Sequence, residues 1–200
     1  MTEPINTTAL LAIGKKIKLA KRGHSLLQKK QKILVNTLMK VVEEYKRFRT
    51  NIIEQKKNAY KSLAIENAYT GMFITRSVAY GTRQLYELDS MTKNIMGVHL
   101  PEYSVRQVRK DTEFHKSPQL IETSHNFRSL FELLVKLHSL RESILRLTQE
   151  ITKVKRRVNS LEHIQIPRME KQKSFIRLAL DERERDSFVA IKETKKRLSQ

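Results

Sequence analysis

Counting in alternate steps of three and four from Leu10, the chain sets Leu10, Ile13, Ile17, Ala20, His24, Leu27, Gln31, Leu34, Leu38, Val41, Tyr45, Phe48, Ile52, Gln55 and Ala59 on one stripe, and twelve of these fifteen residues are apolar. A 3.5-residue period held over seven heptads predicts a helix that buries a narrow seam against another helix, not an ordinary amphipathic surface helix. A second stripe runs Leu130, Leu133, Leu137, Leu140, Ile144, Leu147, Ile151, Val154, Val158 and Leu161, ten apolar residues of ten. Past Leu161 the register slips, with Ile164, Met169, Ile176 and Leu180 as the next candidates, and Pro167 lies at the slip. A proline inside a helix removes one backbone hydrogen bond, so a kink near Pro167 is expected.

Between the stripes the pattern changes. Residues 69–117 hold Gly71, Gly81, Gly97, Pro101 and the approach to Pro118. Gln84 to Met91 alternates apolar and polar residues, and Asn94 to Pro101 reads as a second short strand ending at the proline, so a small hairpin is expected there. Two seams joined by a short connector close on each other as an antiparallel pair. The predicted fold is therefore all-α dominated: a long antiparallel two-helix coiled coil with a small connector containing a short β-hairpin. Its parts are an N-terminal coiled-coil helix (1–68), the connector (69–117) and a C-terminal coiled-coil helix (118–200). If Ala59 lies near Leu130, the numbers of facing residues total about 188, which puts Gly23 and His24 opposite the neighbourhood of Pro167 and makes the C-terminal end overshoot.

Composition supports this and narrows it. Among 200 residues there are only five Gly and four Pro, too few turn-formers for an all-β sandwich. With no Cys, disulfides, thiolate zinc sites and thiol nucleophiles drop out. No stretch reaches the roughly 18 apolar residues of a membrane span, and Met1-Thr2-Glu3-Pro4 does not look like a secretion signal, so a soluble, cytosolic chain is expected.

Charge adds a partner. The formal net charge is +19, which calls for an acidic or polyanionic surface. Lys15, Lys16, Lys18, Lys21, Arg22, Lys29, Lys30 and Lys32 fall in a run with no acid from position 4 to 42. The antiparallel pairing brings them beside Lys155, Arg156, Arg157, Arg168, Lys171 and Lys173 as a cationic collar. The other half of the pair carries Val35, Val42, Ile53, Tyr60, Phe127, Phe131, Leu134 and Leu145, apolar residues beyond what a two-stranded seam uses, so a third element, either the chain's own connector or a partner helix, is expected to pack there.

The chain offers no catalytic constellation. It has no phosphate loop, no dinucleotide fingerprint and no His-Glu-x-x-His, and its six histidines make no i, i+4 metal pair on one face. Asp181-Glu-Arg-Glu-Arg-Asp186 interleaves acids with arginines and reads as salt-bridged helix surface or a contact site. No catalytic residue, metal ligand or cofactor is assigned.

Four segments resemble the D subunit of the V-type and archaeal-type rotary ATPases: Leu19-Ala-Lys-Arg-Gly-His-Ser-Leu-Leu27 with Lys29 and Lys30; Asn94-Ile-Met-Gly-Val-His-Leu-Pro101; Lys155-Arg-Arg-Val-Asn-Ser-Leu-Glu-His-Ile-Gln-Ile-Pro-Arg168; and Leu180-Asp-Glu-Arg-Glu-Arg185 followed by Phe188. The resemblance implies a non-catalytic central rotor shaft on the cytoplasmic side of the membrane, coupling the catalytic ring to the membrane ion-translocating ring. The implied partners are the A and B subunits of the ring, a small F subunit of the stalk and a membrane-rotor adaptor subunit, with no direct nucleotide. On that frame Lys15, Lys18, Lys21, Arg22, Lys29, Lys30, Arg156, Arg157 and Arg168 are expected to face the ring, and Val42, Ile53, Tyr60, Phe131, Leu134 and Leu145 to face the small stalk subunit. A basic coiled coil that binds nucleic acid is the competing reading, although the collar from Lys15 to Lys32 has no aromatic side chain for base stacking.

Overall fold

The computed structural model describes residues 6–81, 86–108 and 117–198. Helix α1 (Thr7–Thr70) begins where the Asn6 side chain accepts the Ala9 N–H at 2.7 Å, an N-cap. It ends at Gly71, whose φ of 86° places it in the left-handed region that stops a helix cheaply only at glycine. A short helix α2 (Met72–Gly81) follows at once, an element that the pattern of the connector did not announce. Strands β1 (Tyr86–Ile95) and β2 (Val98–Gln107) form an antiparallel hairpin. Helix α3 (Pro118–Ser160) starts with proline at its first position and Ser117 as its cap, the Ser117 hydroxyl accepting the Leu120 N–H at 3.1 Å. A π-helical turn (Leu161–Gln165) joins it to α4 (Ile166–Leu198).

The expected fold class is the one observed, helices with one small hairpin, but the strand limits need correcting. Asn94 and Ile95 belong to the first strand and the second runs on past Pro101, with Tyr86 paired to Gln107 and Ile95 to Val98. A two-residue hairpin turn of type I′ needs two successive residues at positive φ, and Met96 (52°) and Gly97 (82°) supply them. The Asn94 side chain accepts the Gly97 N–H at 3.0 Å and holds the turn. Gln84, the expected first strand residue, lies outside the described residues.

The chain divides into two compact units, Met1–Ile33 with Thr152–Gln200 and Leu34–Ile151. In the first, Ile13 and Ile17 of α1 pack on Ile176 of α4, with Ala9, Leu10, Met169 and Leu180 around them. In the second, Ile52 and Ala59 pack on Leu130, with Phe127, Leu133 and Leu137. Every residue of both predicted stripes is buried or half-buried. Facing residues total close to 188 in each unit: Ser62 with Asn126 in one, Ile13 with Ile176 in the other.

The slip after Leu161 is met by one extra residue. The Ile166 N–H bonds to the Leu161 carbonyl five residues back, and this wide turn re-phases the stripe so that Ile166, Pro167 and Met169 return to the half-buried side. Ile164, a candidate seam residue, is instead 63% exposed, because it sits on the bulged turn. Gly23 meets no close neighbour in this region, since a Cβ on it would find nothing within 4 Å. Every described side chain of α4 after Leu180 is exposed.

Candidate functional site

In the unit formed by Met1–Ile33 and Thr152–Gln200, α1 and the helix on either side of the π turn supply all nine residues expected at the ring: Lys15, Lys18, Lys21, Arg22, Lys29, Lys30, Arg156, Arg157 and Arg168. Eight are exposed, and Lys30 is half-buried. The stripe fixes this: with Ile13, Ile17, Ala20 and His24 turned inward, the lysines between them must face solvent. Lys21 pairs with Glu170 at 2.7 Å, and His24 Nε2 lies 3.2 Å from Glu162 on the π turn. Exposed pairs of this kind add little to stability. The unit holds 22 basic and 8 acidic residues, so most of its positive field has no counter-charge within it.

The Leu34–Ile151 unit holds the other expected surface. Val42 is half-buried; Ile53, Tyr60, Phe131, Leu134 and Leu145 are exposed. The chain's own hairpin and neighbouring helix cover part of this stripe. Phe131 meets Tyr86 of β1 with ring centroids 6.4 Å apart, Arg128 lies over Tyr86 at 5.3 Å, and Tyr60 meets Phe127 edge-on at 5.7 Å. Of the two occupants left open for the third element, the connector therefore takes some of the apolar surface and leaves Ile53, Leu134 and Leu145 about half uncovered. Between α1, the hairpin and α3 lies an open groove of about 560 Å³ lined by Val41, Phe48, Leu100, Leu140 and Ser143.

One functional-looking group in this unit was not among the expected residues. Glu66 is fully buried, at the position where the α1 stripe continues past Ala59 in steps of three and four. Its carboxylate accepts the Thr70 hydroxyl at 2.7 Å and the Ser117 hydroxyl at 3.1 and 3.2 Å. Because Ser117 caps α3, the carboxylate also lies close to the positive end of that helix. These partners answer the cost of burying a charge. The signal was the stripe itself, carried through Ser62, Leu63 and Glu66, but an acid on an apolar stripe normally marks its end. Beside it, Thr123 Oγ1 and Asn67 Oδ1 are buried without a hydrogen-bond partner.

Among the described residues no cluster of His, Cys, Asp or Glu could hold a metal ion. His24 faces Glu162 and His138 stacks on Tyr103 at 5.9 Å. No described helix is long and apolar enough to cross a membrane. The arrangement suits contact, with a cationic surface on one unit and a partly covered apolar surface on the other.

Comparison with known proteins agrees with this picture. A family model described as the ATP synthase D subunit matches residues 9–196. The chain is 36% identical over 192 residues to the A-type ATP synthase D subunit of Pyrococcus horikoshii, covering 93% of this chain and 90% of that protein. It is 31% identical to the Methanoregula boonei subunit, covering 94% and 93%, and 31% identical to that of Methanopyrus kandleri, covering 96% and 86%.

Proposed function

The chain belongs to the ATP synthase D-subunit family and is a central-stalk subunit of an A/V-type ATP synthase; from that premise we propose that it is the rotor shaft that carries torque between the catalytic ring and the membrane rotor. The shaft does no chemistry itself. Its work is mechanical: paired helices with a nearly unbroken buried stripe resist sliding and untwisting, because each turn of slip would expose apolar side chains worth about 1.5–3 kcal/mol apiece.

The observation that carries the proposal is the segregation of surfaces. Nine basic residues from segments more than a hundred positions apart lie on one unit, and Ile53, Tyr60, Phe131, Leu134 and Leu145, the exposed residues of the extra apolar stripe, lie on the other. The cationic surface is where carboxylates of the A and B ring subunits would be met in turn, opening or closing each interface as the shaft rotates. The apolar surface around Leu134 is where the small F subunit of the stalk would dock, and the connector end would meet the membrane-rotor adaptor subunit, all on the cytoplasmic side of the membrane. Family membership gives the +19 charge a place in an assembly, and no observation favours nucleic acid as its partner.

The test is direct. In the purified complex fixed to a surface through its ring, a bead attached at the hairpin rotates when ATP is added. A bead that stays still while ATP is hydrolysed in a fully coupled complex would overturn the assignment.

A further inference from the structure

Beside the buried stripe, each long helix of the Leu34–Ile151 unit carries a second row at the same repeat. On α1 it runs Val42, Lys46, Arg49, Ile53, Lys56 and Tyr60; on α3 it runs Phe127, Phe131, Leu134, His138, Arg141 and Leu145. Both rows step by four and three in turn, which keeps each on one side of its helix. In the antiparallel pair they face one another at a constant total of 187: Tyr60 with Phe127, Lys56 with Phe131, Ile53 with Leu134, Arg49 with His138, Lys46 with Arg141 and Val42 with Leu145. The Tyr60 and Phe127 rings, 5.7 Å apart, hold the rows in this phase. Val42 and Phe127 are half-buried and every other side chain of the two rows is exposed.

Along this flank the order is apolar, cationic, apolar. Ile53 with Leu134 and Val42 with Leu145 bound a stretch that holds Arg49, His138, Lys46 and Arg141 and no acid. Flanking positions of a coiled coil ordinarily set opposite charges across the pair. Here Lys46 faces Arg141, so the two helices repel at that level. None of Lys46, Arg49 and Arg141 makes an ion pair with a described residue. The hairpin meets the α3 row at Phe131, through Tyr86, and at His138, through Tyr103, and leaves Ile53, Leu134 and Leu145 about half exposed.

We propose that this flank takes an acidic helix of the small stalk subunit, one that sets two apolar side chains three turns apart with Asp or Glu on the turns between. Val42 and Ile53 are eleven residues apart, about 16.5 Å along α1, and three turns of a partner helix cover about 16.2 Å. A helix laid along the pair therefore matches the flank turn for turn. An extended strand repeats on one face every ~6.7 Å, so at the second apolar contact it presents its other face. The carboxylates meet Lys46, Arg49 and Arg141 and cancel the repulsion that the free chain retains, while the apolar ends cover Ile53 with Leu134 and Val42 with Leu145. A second copy of this chain is disfavoured as the occupant, since its own flank brings the same cations against these. The proposal rests on the reading of the Leu134 surface as the dock of the small stalk subunit, and adds the chemistry which that dock selects.

Titration calorimetry of the full chain with the purified small stalk subunit tests it. Lys46→Glu should weaken binding by about tenfold, and Lys46→Glu with Arg141→Glu by more. Lys46→Glu alone gives Arg141 a facing acid, so the thermal midpoint of the free chain should rise by about 1–2 °C even as the partner is lost. Misfolding would lower both together, and a midpoint that falls overturns the facing rows. Unchanged affinity in the double charge variant, with binding still lost in Val42→Asp with Leu134→Asp, overturns the acidic helix and leaves the docking surface intact. Unchanged affinity in both sets removes the docking reading, and the proposal with it. Retention of RNA by the native chain that the charge variants abolish, at unchanged affinity for the subunit, overturns it in favour of nucleic acid.

Discussion

The two units of this chain use the same helical stripe for different ends. The Met1–Ile33 and Thr152–Gln200 unit packs three buried isoleucines with four half-buried neighbours, buries Val154 and Val158 as well, and carries 22 basic against 8 acidic residues. The Leu34–Ile151 unit, with 18 basic and 13 acidic residues, adds a hairpin, captures its strand edge with Ser139 and Arg146, and buries a carboxylate. The difference shows that a coiled-coil seam fixes only which side faces in. What is built on the outward side decides whether a segment presents a field or holds a third element.

The strongest way to break this contrast is to reverse the field. Lys21→Glu, Arg22→Glu and Lys29→Glu together are expected to lower coupled ATP turnover by tenfold or more, about 1.4 kcal/mol per decade, with circular dichroism unchanged. Full coupling in the reconstituted complex would remove the cationic surface from the mechanism. On the other unit, Val42→Asp with Leu134→Asp should release the small stalk subunit on gel filtration while helicity is retained, and retained binding would show that the apolar residues are ordinary surface.

Smaller effects probe what each unit is built on. Glu66→Ala leaves the Thr70 and Ser117 hydroxyls without their acceptor and should cost about 1–3 kcal/mol in urea unfolding. Deleting Ile164 removes the extra residue of the π turn and lets the stripe run on in register, so the cost should stay below about 1 kcal/mol. A one-residue deletion in the middle of α3, at Leu145, throws every later seam residue off the buried side and should cost several times that. Least of all, Met96→Asn should stabilise the hairpin by about 0.5–1 kcal/mol, since asparagine tolerates positive φ where methionine is strained; a thermal midpoint that falls would contradict the turn geometry.

Much of the fold could be read directly. The inward positions of α1 and α3, and a connector with a hairpin, follow from periodicities and turn signals that act within a few residues. Of the candidate surfaces, the grouping of the basic residues was legible because facing numbers in an antiparallel pair have a constant total. Their contacts with other subunits rest on the family likeness and on the tests above. The misreadings were of another kind. The strand limits moved because Pro101 looks like a strand end until its position in the ladder is known, and Ile164 left the seam because an extra residue was placed in one turn.

The sequence by itself determined which residues face inward, since the repeat of a helix is a property of the backbone and any apolar stripe at that repeat must be buried. Tertiary structure decided the rest, through partners far away in the chain. Glu66 is tolerated in the core because Ser117 comes back to it from 51 residues on. Pro101 sits in a strand because Ser139, 38 residues later, takes its carbonyl. Such choices depend on which groups meet, and no local pattern records that meeting.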